Sequence, residues 1–303
     1  MLTEIHFLLT YTCNYECDHC FLYCGPNSEG TFTIKQLRNV FAEIPIIGSI
    51  EKVYFEGGEP FLFYPLLLEG TRIARNMGLN VGIVTNSYWA TSAEDAELWL
   101  KQLLELGVAD IFISDDSFHR DKAEDNPAGA ALAAAENLGL AAYTICIEEP
   151  SVQTEVPGSP DKGSAIVGGS VVFRGRAVEK LTTGLPTRAG AELTQCPYED
   201  LETPTRVHID PFGNVHFCQG LSIGNIRETP LSTLLRNYVA DSHPICGPLV
   251  KGGPALLART YNVKHAANYV DECHFCYLTR LALIERFPQY LAPRQAYGLD
   301  QGS

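Results

Sequence analysis

The chain has 303 residues, 46% of them hydrophobic, and a formal net charge of −14 at neutral pH. That length can bury one large core and a smaller one, and so acidic a balance argues against DNA or tRNA, which require a basic face. Ten cysteines at metal-ligand spacings, with no signal-peptide pattern ahead of them, point to a reducing cytoplasm rather than disulfides.

Glu4–Thr10 reads as the first strand, too short an apolar run to span a membrane. It leads straight into Cys13-Asn14-Tyr15-Glu16-Cys17-Asp18-His19-Cys20. Three thiolates at C-x3-C-x2-C spacing can bind three irons of a cubane cluster, leaving the fourth iron open to a small molecule. A structural zinc loop completed by Cys24 is the alternative. Thr33 is placed to cap a helix with apolar positions Ile34, Leu37, Val40 and Phe41. Lys52–Phe55 reads as strand two, followed by Glu56-Gly57-Gly58-Glu59-Pro60. There the glycines allow backbone to approach a ligand, Glu59 can pair with an ammonium, and Pro60 stiffens the exit.

Next come a helix over Leu66–Asn76, a strand over Val81–Val84 ending in Thr85-Asn86-Ser87, and a helix over Ala93–Leu106. The fourth strand, Asp110–Ser114, leads into Asp115-Asp116-Ser117-Phe118-His119. A helix over Ala130–Asn137 and a strand over Leu140–Ile147 follow, with Cys146 read as a small core residue. Residues 150–168, with Pro150, Pro157 and Pro160, read as a loop able to lie across the open side as a lid. Gly169–Phe173 is the expected sixth strand, ending in Gly175-Arg176-Ala177. Strands alternating with helices indicate parallel βαβ units, whose active sites gather just past the C-terminal strand ends.

The C-terminal third changes pattern. Val207–Cys218 reads as a hairpin about the turn Asp210-Pro211-Phe212-Gly213, followed by an apolar helix near Leu231–Leu235. Cys273-His274-Phe275-Cys276 is expected just before a helix over Tyr277–Phe287. Cys196, Cys218, Cys273 and Cys276 can saturate one [4Fe–4S] cluster or, alternatively, a zinc ribbon, leaving Cys246 spare.

The Cys13–Cys20 loop together with Gly57–Pro60 resembles the radical S-adenosylmethionine (radical SAM) superfamily, and the C-terminal cysteines resemble its SPASM and twitch extensions. The resemblance implies a partial (β/α)6 TIM-like barrel over 1–180, a small auxiliary-cluster domain over 190–290 and a tail over 291–303. It also implies that Cys13, Cys17 and Cys20 hold a [4Fe–4S] cluster whose open iron takes the amino and carboxylate groups of SAM. Gly57, Gly58, Glu59 and Pro60 would then contact the methionyl amino group, and Ser114 the ribose. Thr85 and Asn86 would line the mouth, and Arg176 would pair with the SAM carboxylate or a substrate anion. Asp115, Asp116 and His119 are the candidate acid–base residues. His19 stands where relatives usually carry an aromatic residue. Gln219 stands where SPASM sulfatase maturases place an aspartate base, so that proton chemistry is not expected.

The implied activity is reductive cleavage of SAM to a 5′-deoxyadenosyl radical that takes hydrogen from substrate. A peptide or protein substrate is the first expectation and a small-molecule dehydrogenation the second; a non-catalytic iron–sulfur carrier is the reading from another class. A flavodoxin or ferredoxin is the expected electron donor, with no nucleic-acid or membrane partner.

Overall fold

Strand β1 (Glu4–Thr10) alternates, and its two faces organise the chain. Ile5, Phe7 and Leu9 are fully buried in the main core, whereas His6 and Leu8 occupy the opposite face of the sheet. The computed structural model describes residues 1–119, 126–153 and 166–299. In it α1 (Ile34–Ile47), β2 (Lys52–Gly57), α2 (Tyr64–Asn76), β3 (Asn80–Thr85), α3 (Ala93–Leu106), β4 (Asp110–Ser114), α4 (Pro127–Leu138) and β5 (Ala141–Ile145) follow as successive βα units. Strands β1 to β5 pair in that order, all parallel.

A hairpin of β6 (Ser151–Gln153) and β7 (Ile166–Gly168) comes next, then the short helix α5 (Arg176–Lys180) and β8 (Arg188–Ala189). Strand β9 (Arg206–Ile209) returns to pair parallel with β1, and β10 (Asn214–Cys218) and β11 (Leu221–Asn225) extend the sheet antiparallel. The chain continues through α6 (Leu231–Asn237), α7 (Cys246–Tyr261), β12 (Asn268–Tyr269), which pairs with β8, and α8 (Glu272–Leu283). The eight-stranded sheet therefore runs β11-β10-β9-β1-β2-β3-β4-β5, an open, partial barrel of mostly parallel strands.

Local signals fix the elements that position the site. In α1, Thr33 and Gln36 form a reciprocal capping box, and Gly48 closes the helix in the left-handed conformation. Leu37, Val40, Phe41 and Ile44 fall on one face and are buried, each contributing about 1.5–3 kcal/mol. Asp210 closes the β9–β10 turn by accepting from the Asn214 amide at 2.8 Å.

Four expectations are corrected. Gly169–Phe173 forms no strand: Gly169 and Ser170 both take positive φ, +105° and +63°, which breaks extended pairing. Instead Gly169 O accepts from Glu148 N at 2.9 Å beyond β5, and the sixth parallel strand, β9, lies on the other side of β1. The 150–168 stretch contains paired strands, with Val152 opposite Val167; Pro157 and Pro160, and the lid expected of them, fall outside the described residues. Helix α8 begins earlier than expected because Asp271 caps it, accepting from His274 N at 2.7 Å, so Cys273 and Cys276 lie within the helix, in its first two turns. Cys146 is exposed rather than in the core.

Candidate active site

The loop after β1 is pinned by its own backbone and by two neighbours. Cys13 N donates to Gly25 O at 3.0 Å, and Cys20 N to Cys17 O at 3.0 Å. Arg176 clasps the loop from α5: its backbone N–H reaches Cys20 O, and its guanidinium donates to Cys17 O at 2.8 Å and Cys24 O at 2.9 Å. Gly175 before it has φ +62°, and a Cβ there would sit 2.5 Å from Phe21 Cα. Arg176, expected to meet an anion, is thus buried and committed to carbonyl oxygens, as suits a rigid five-donor fork.

The Gly57–Pro60 segment lies against the same strand exit. Gly58 N donates to Thr10 O at 2.7 Å and Glu59 N to Thr12 O at 3.0 Å. A Cβ on Gly58 would stand 2.1 Å from Thr12 O, so the glycine is required by the neighbouring backbone and not only by a ligand. Glu59, expected to meet an ammonium, is fully buried and accepts from Asn86 N at 2.7 Å, Thr85 Oγ1 at 2.9 Å and Phe61 N at 3.0 Å. Burial pushes its pKa up to about 7 against those three donors.

Cys13, Cys17 and Cys20 all open onto one cleft of about 290 Å³. Gly57, Gly58, Thr85, Asn86, Ser114, Asp116 and His119 line the same cleft, whereas Glu59, Pro60, Asp115 and Arg176 do not. Asn86 Nδ2 donates to Asn14 Oδ1 at 2.9 Å and approaches Cys13 Sγ at 3.6 Å. Cys13 Sγ also accepts from Tyr15 N at 3.5 Å, and Cys20 Sγ from Cys24 N at 3.3 Å. A hydrogen bond from the Cys24 thiol outweighs burial and lowers the Cys20 pKa to about 6, while burial raises Cys13 to about 12. Three soft donors facing one space, with N–H groups aimed at two of the sulfurs, fit a cubane cluster that lacks a fourth protein ligand.

Asp116 and His119 form a pair at the mouth. Asp116 Oδ1 is 2.8 Å from His119 Nδ1, and Oδ2 accepts from Ile147 N at 3.2 Å. Burial works to raise the Asp116 pKa, but the His119 hydrogen bond and charge outweigh it and hold the carboxyl low. The ring of His19 packs edge-on to His119 at 5.2 Å, and burial lowers the His19 pKa to about 4.

A second, small cavity of about 20 Å³ is lined by Cys196, Cys218, Cys273 and Cys276. Burial pushes the Cys276 thiol up to about 12. Two buried arginines flank the four cysteines: Arg174 Nη1 donates to Cys218 Sγ at 2.9 Å and Arg280 Nη1 to Gln219 O at 3.1 Å, each leaving a buried Nε without a partner among the described residues. Buried cations with orphaned donors fit a net-negative metal–thiolate centre. Cys246 is buried but does not line this cavity.

Sequence reasoning missed Arg174, the side chain that reaches both cavities and lies over the Phe21 ring at 5.0 Å. The signal was a second arginine two residues before Arg176, in the apolar stretch after β7.

Residues 7–139 match the family model described as the radical SAM superfamily. The chain carries a radical SAM domain. Members of this superfamily are enzymes, and membership implies a [4Fe–4S] cluster and SAM. Among curated relatives, the chain is 28% identical over 107 residues to YydG of Bacillus subtilis, a protein named for peptide biosynthesis. It is 32% identical over 82 residues to MJ1632 of Methanocaldococcus jannaschii, named as a glycyl-radical enzyme activating enzyme. It is 28% identical over 109 residues to the tungsten-containing aldehyde ferredoxin oxidoreductase cofactor-modifying protein of Pyrococcus furiosus. These matches cover 35%, 27% and 36% of this chain, and only 34%, 31% and 29% of the respective relatives. BtrN, solved in complex with AdoMet and 2-DOIA, shares the fold at TM-score 0.51 and 17% identity, over 78% of this chain and 83% of its own. Among the described residues no helix is long and apolar enough to cross a membrane.

Proposed function

We propose that the chain is a radical SAM enzyme that oxidatively modifies a peptide or protein, with a second iron–sulfur centre as electron acceptor. The single observation that carries this is the convergence of Cys13, Cys17 and Cys20 with Gly57, Asn86 and Ser114 on one cleft, while four more cysteines line a second cavity bridged to it by Arg174. When bound, the cluster and SAM would supply the reductive, hydrogen-abstracting chemistry. Cys13, Cys17 and Cys20 hold that cluster, with Arg176 and Gly58 fixing their loop. Glu59 holds the Thr85 hydroxyl and the Asn86 backbone N–H, and so positions Asn86, whose Nδ2 approaches Cys13 Sγ. Asp116 holds His119 at the mouth, where its imidazole can take or give a proton.

Cys196, Cys218, Cys273 and Cys276 hold the second centre, and Arg174 and Arg280 compensate its charge. YydG, matched over 107 residues, supports a peptide substrate. The test is anaerobic turnover of a candidate peptide deuterated at its reacting carbon, with a flavodoxin or ferredoxin as reductant. Deuterium in 5′-deoxyadenosine together with a product two hydrogens lighter is expected. 5′-Deoxyadenosine that carries no deuterium would exclude that peptide, and a redox-neutral product would exclude the oxidation.

A further inference from the structure

Three polar side chains from adjacent strands meet on one face of the sheet, at the edge of the cleft that the first set of cysteines lines. His6 on β1 and His208 on β9 are register partners, and Glu56 on β2 is the partner of Leu8, the next residue of β1 on that face. Glu56 Oε2 lies 3.3 Å from His6 Nδ1, and its Oε1 lies 3.3 Å from His208 Nε2. One ligand atom from each residue falls within 4.8 Å of the other two.

These distances suit a metal ion better than a pair of hydrogen bonds. Imidazole and carboxylate ligands at about 2.0–2.1 Å from a tetrahedral ion stand roughly 3.3–3.4 Å from each other. An N–H···O hydrogen bond is commonly about 2.9–3.0 Å. The ring nitrogens aimed at Glu56 are otherwise little engaged: His6 Nδ1 has no hydrogen-bond partner among the described residues, and His208 Nε2 has Gln219 Nε2 only at 3.4 Å. His6 Nε2, its other ring nitrogen, lies 3.4 Å from Glu4 Oε2, the carboxylate–imidazole arrangement that orients metal-ligating histidines.

We propose that His6, Glu56 and His208 bind one divalent first-row transition ion, of the zinc or iron(II) class, with an open coordination position facing the cleft. Two imidazoles and one carboxylate are the donor set such ions take when they keep a position for substrate. Glu56 itself lines the cleft, which provides the route of access, and parallel strands hold all three ligands on rigid backbone. An ion here would anchor an oxygen or nitrogen of the substrate as a Lewis acid. The assignment stands independently of the proposed reaction.

The experiment titrates Co2+ into cluster-loaded full-length protein, in which the seven ligand cysteines are already occupied. One Co2+ per chain is expected, with visible ligand-field bands and no thiolate charge-transfer absorption. Glu56→Gln and His208→Gln should each weaken binding by about a hundredfold or more, while His119→Gln, in the separate His19–Asp116–His119 group, should leave it unchanged. Pulsed EPR of the Co2+-loaded wild type needs no variant and should detect two imidazole nitrogens. Failure of the wild type to bind Co2+, binding that survives both ligand variants, or coupling to fewer than two imidazoles would each overturn the assignment.

Discussion

Arg174 links the two cysteine cavities, and removing its charge has a consequence that can be sized. Its Nη1 donates to Cys218 Sγ at 2.9 Å from a buried position. A hydrogen bond to a charged group is worth about 1.5–3 kcal/mol. For a one-electron couple a tenfold change, about 1.4 kcal/mol, corresponds to roughly 59 mV, so the bond is worth at most about 60–130 mV. The reduced centre carries one more negative charge and is favoured by the arginine. Arg174→Gln should therefore lower the midpoint of the second cluster by tens of millivolts, up to that bound. Arg174→Lys should recover part of the shift, because it restores the charge without the planar fork. An EPR-monitored redox titration of reconstituted protein reads both. An unchanged midpoint in Arg174→Gln, with full iron content, would refute the proposed coupling.

Gly58→Ala should fail to retain the first cluster, because its Cβ would meet Thr12 O at 2.1 Å and displace the loop; iron content and ultraviolet–visible absorption check this. Glu59 has a folded pKa pushed up by burial to about 7 from an ordinary value of 4.5. Between those values the folded state holds a proton that the unfolded state lacks, so the stability contributed by Glu59 is full at the lower pH and lost as pH rises to the upper. Denaturant midpoints measured across that window should fall with pH more steeply in the wild type than in Glu59→Gln. The double variant Cys273→Ala, Cys276→Ala should reduce iron from about eight to about four per chain, whereas Cys246→Ser should leave it unchanged.

The first half of the chain was legible because its physics is local. Alternation in β1 and β2 and the 3.6-residue spacing in α1 each report one buried face, and the Cys13–Cys20 spacing reports its own chemistry. The sixth strand was misread because Val171, Val172 and Phe173 look like a strand, and only the conformations of Gly169 and Ser170 prevent it. Helix α7 went unseen because Gly252, Gly253 and Pro254 break the helical pattern, and the chain is indeed kinked there. Arg176 and Glu59 were singled out, but their hold on the adjacent loops was not foreseen, since a sequence does not distinguish a side chain that meets a ligand from one that clasps a neighbouring segment. Arg174 and the His6–Glu56–His208 group depend on strand order, and β9 beside β1 could not be foreseen from spacing alone.

The central claim is that Cys13, Cys17 and Cys20 hold the cluster that cleaves SAM. The direct measurement is reductant-dependent 5′-deoxyadenosine formation by anaerobically reconstituted protein, with and without alanine at all three positions. The wild type should form 5′-deoxyadenosine and methionine in equal amounts, and the triple variant neither, while keeping the iron of the second centre. 5′-Deoxyadenosine from the triple variant, or none from wild type carrying its full complement of iron, would contradict it.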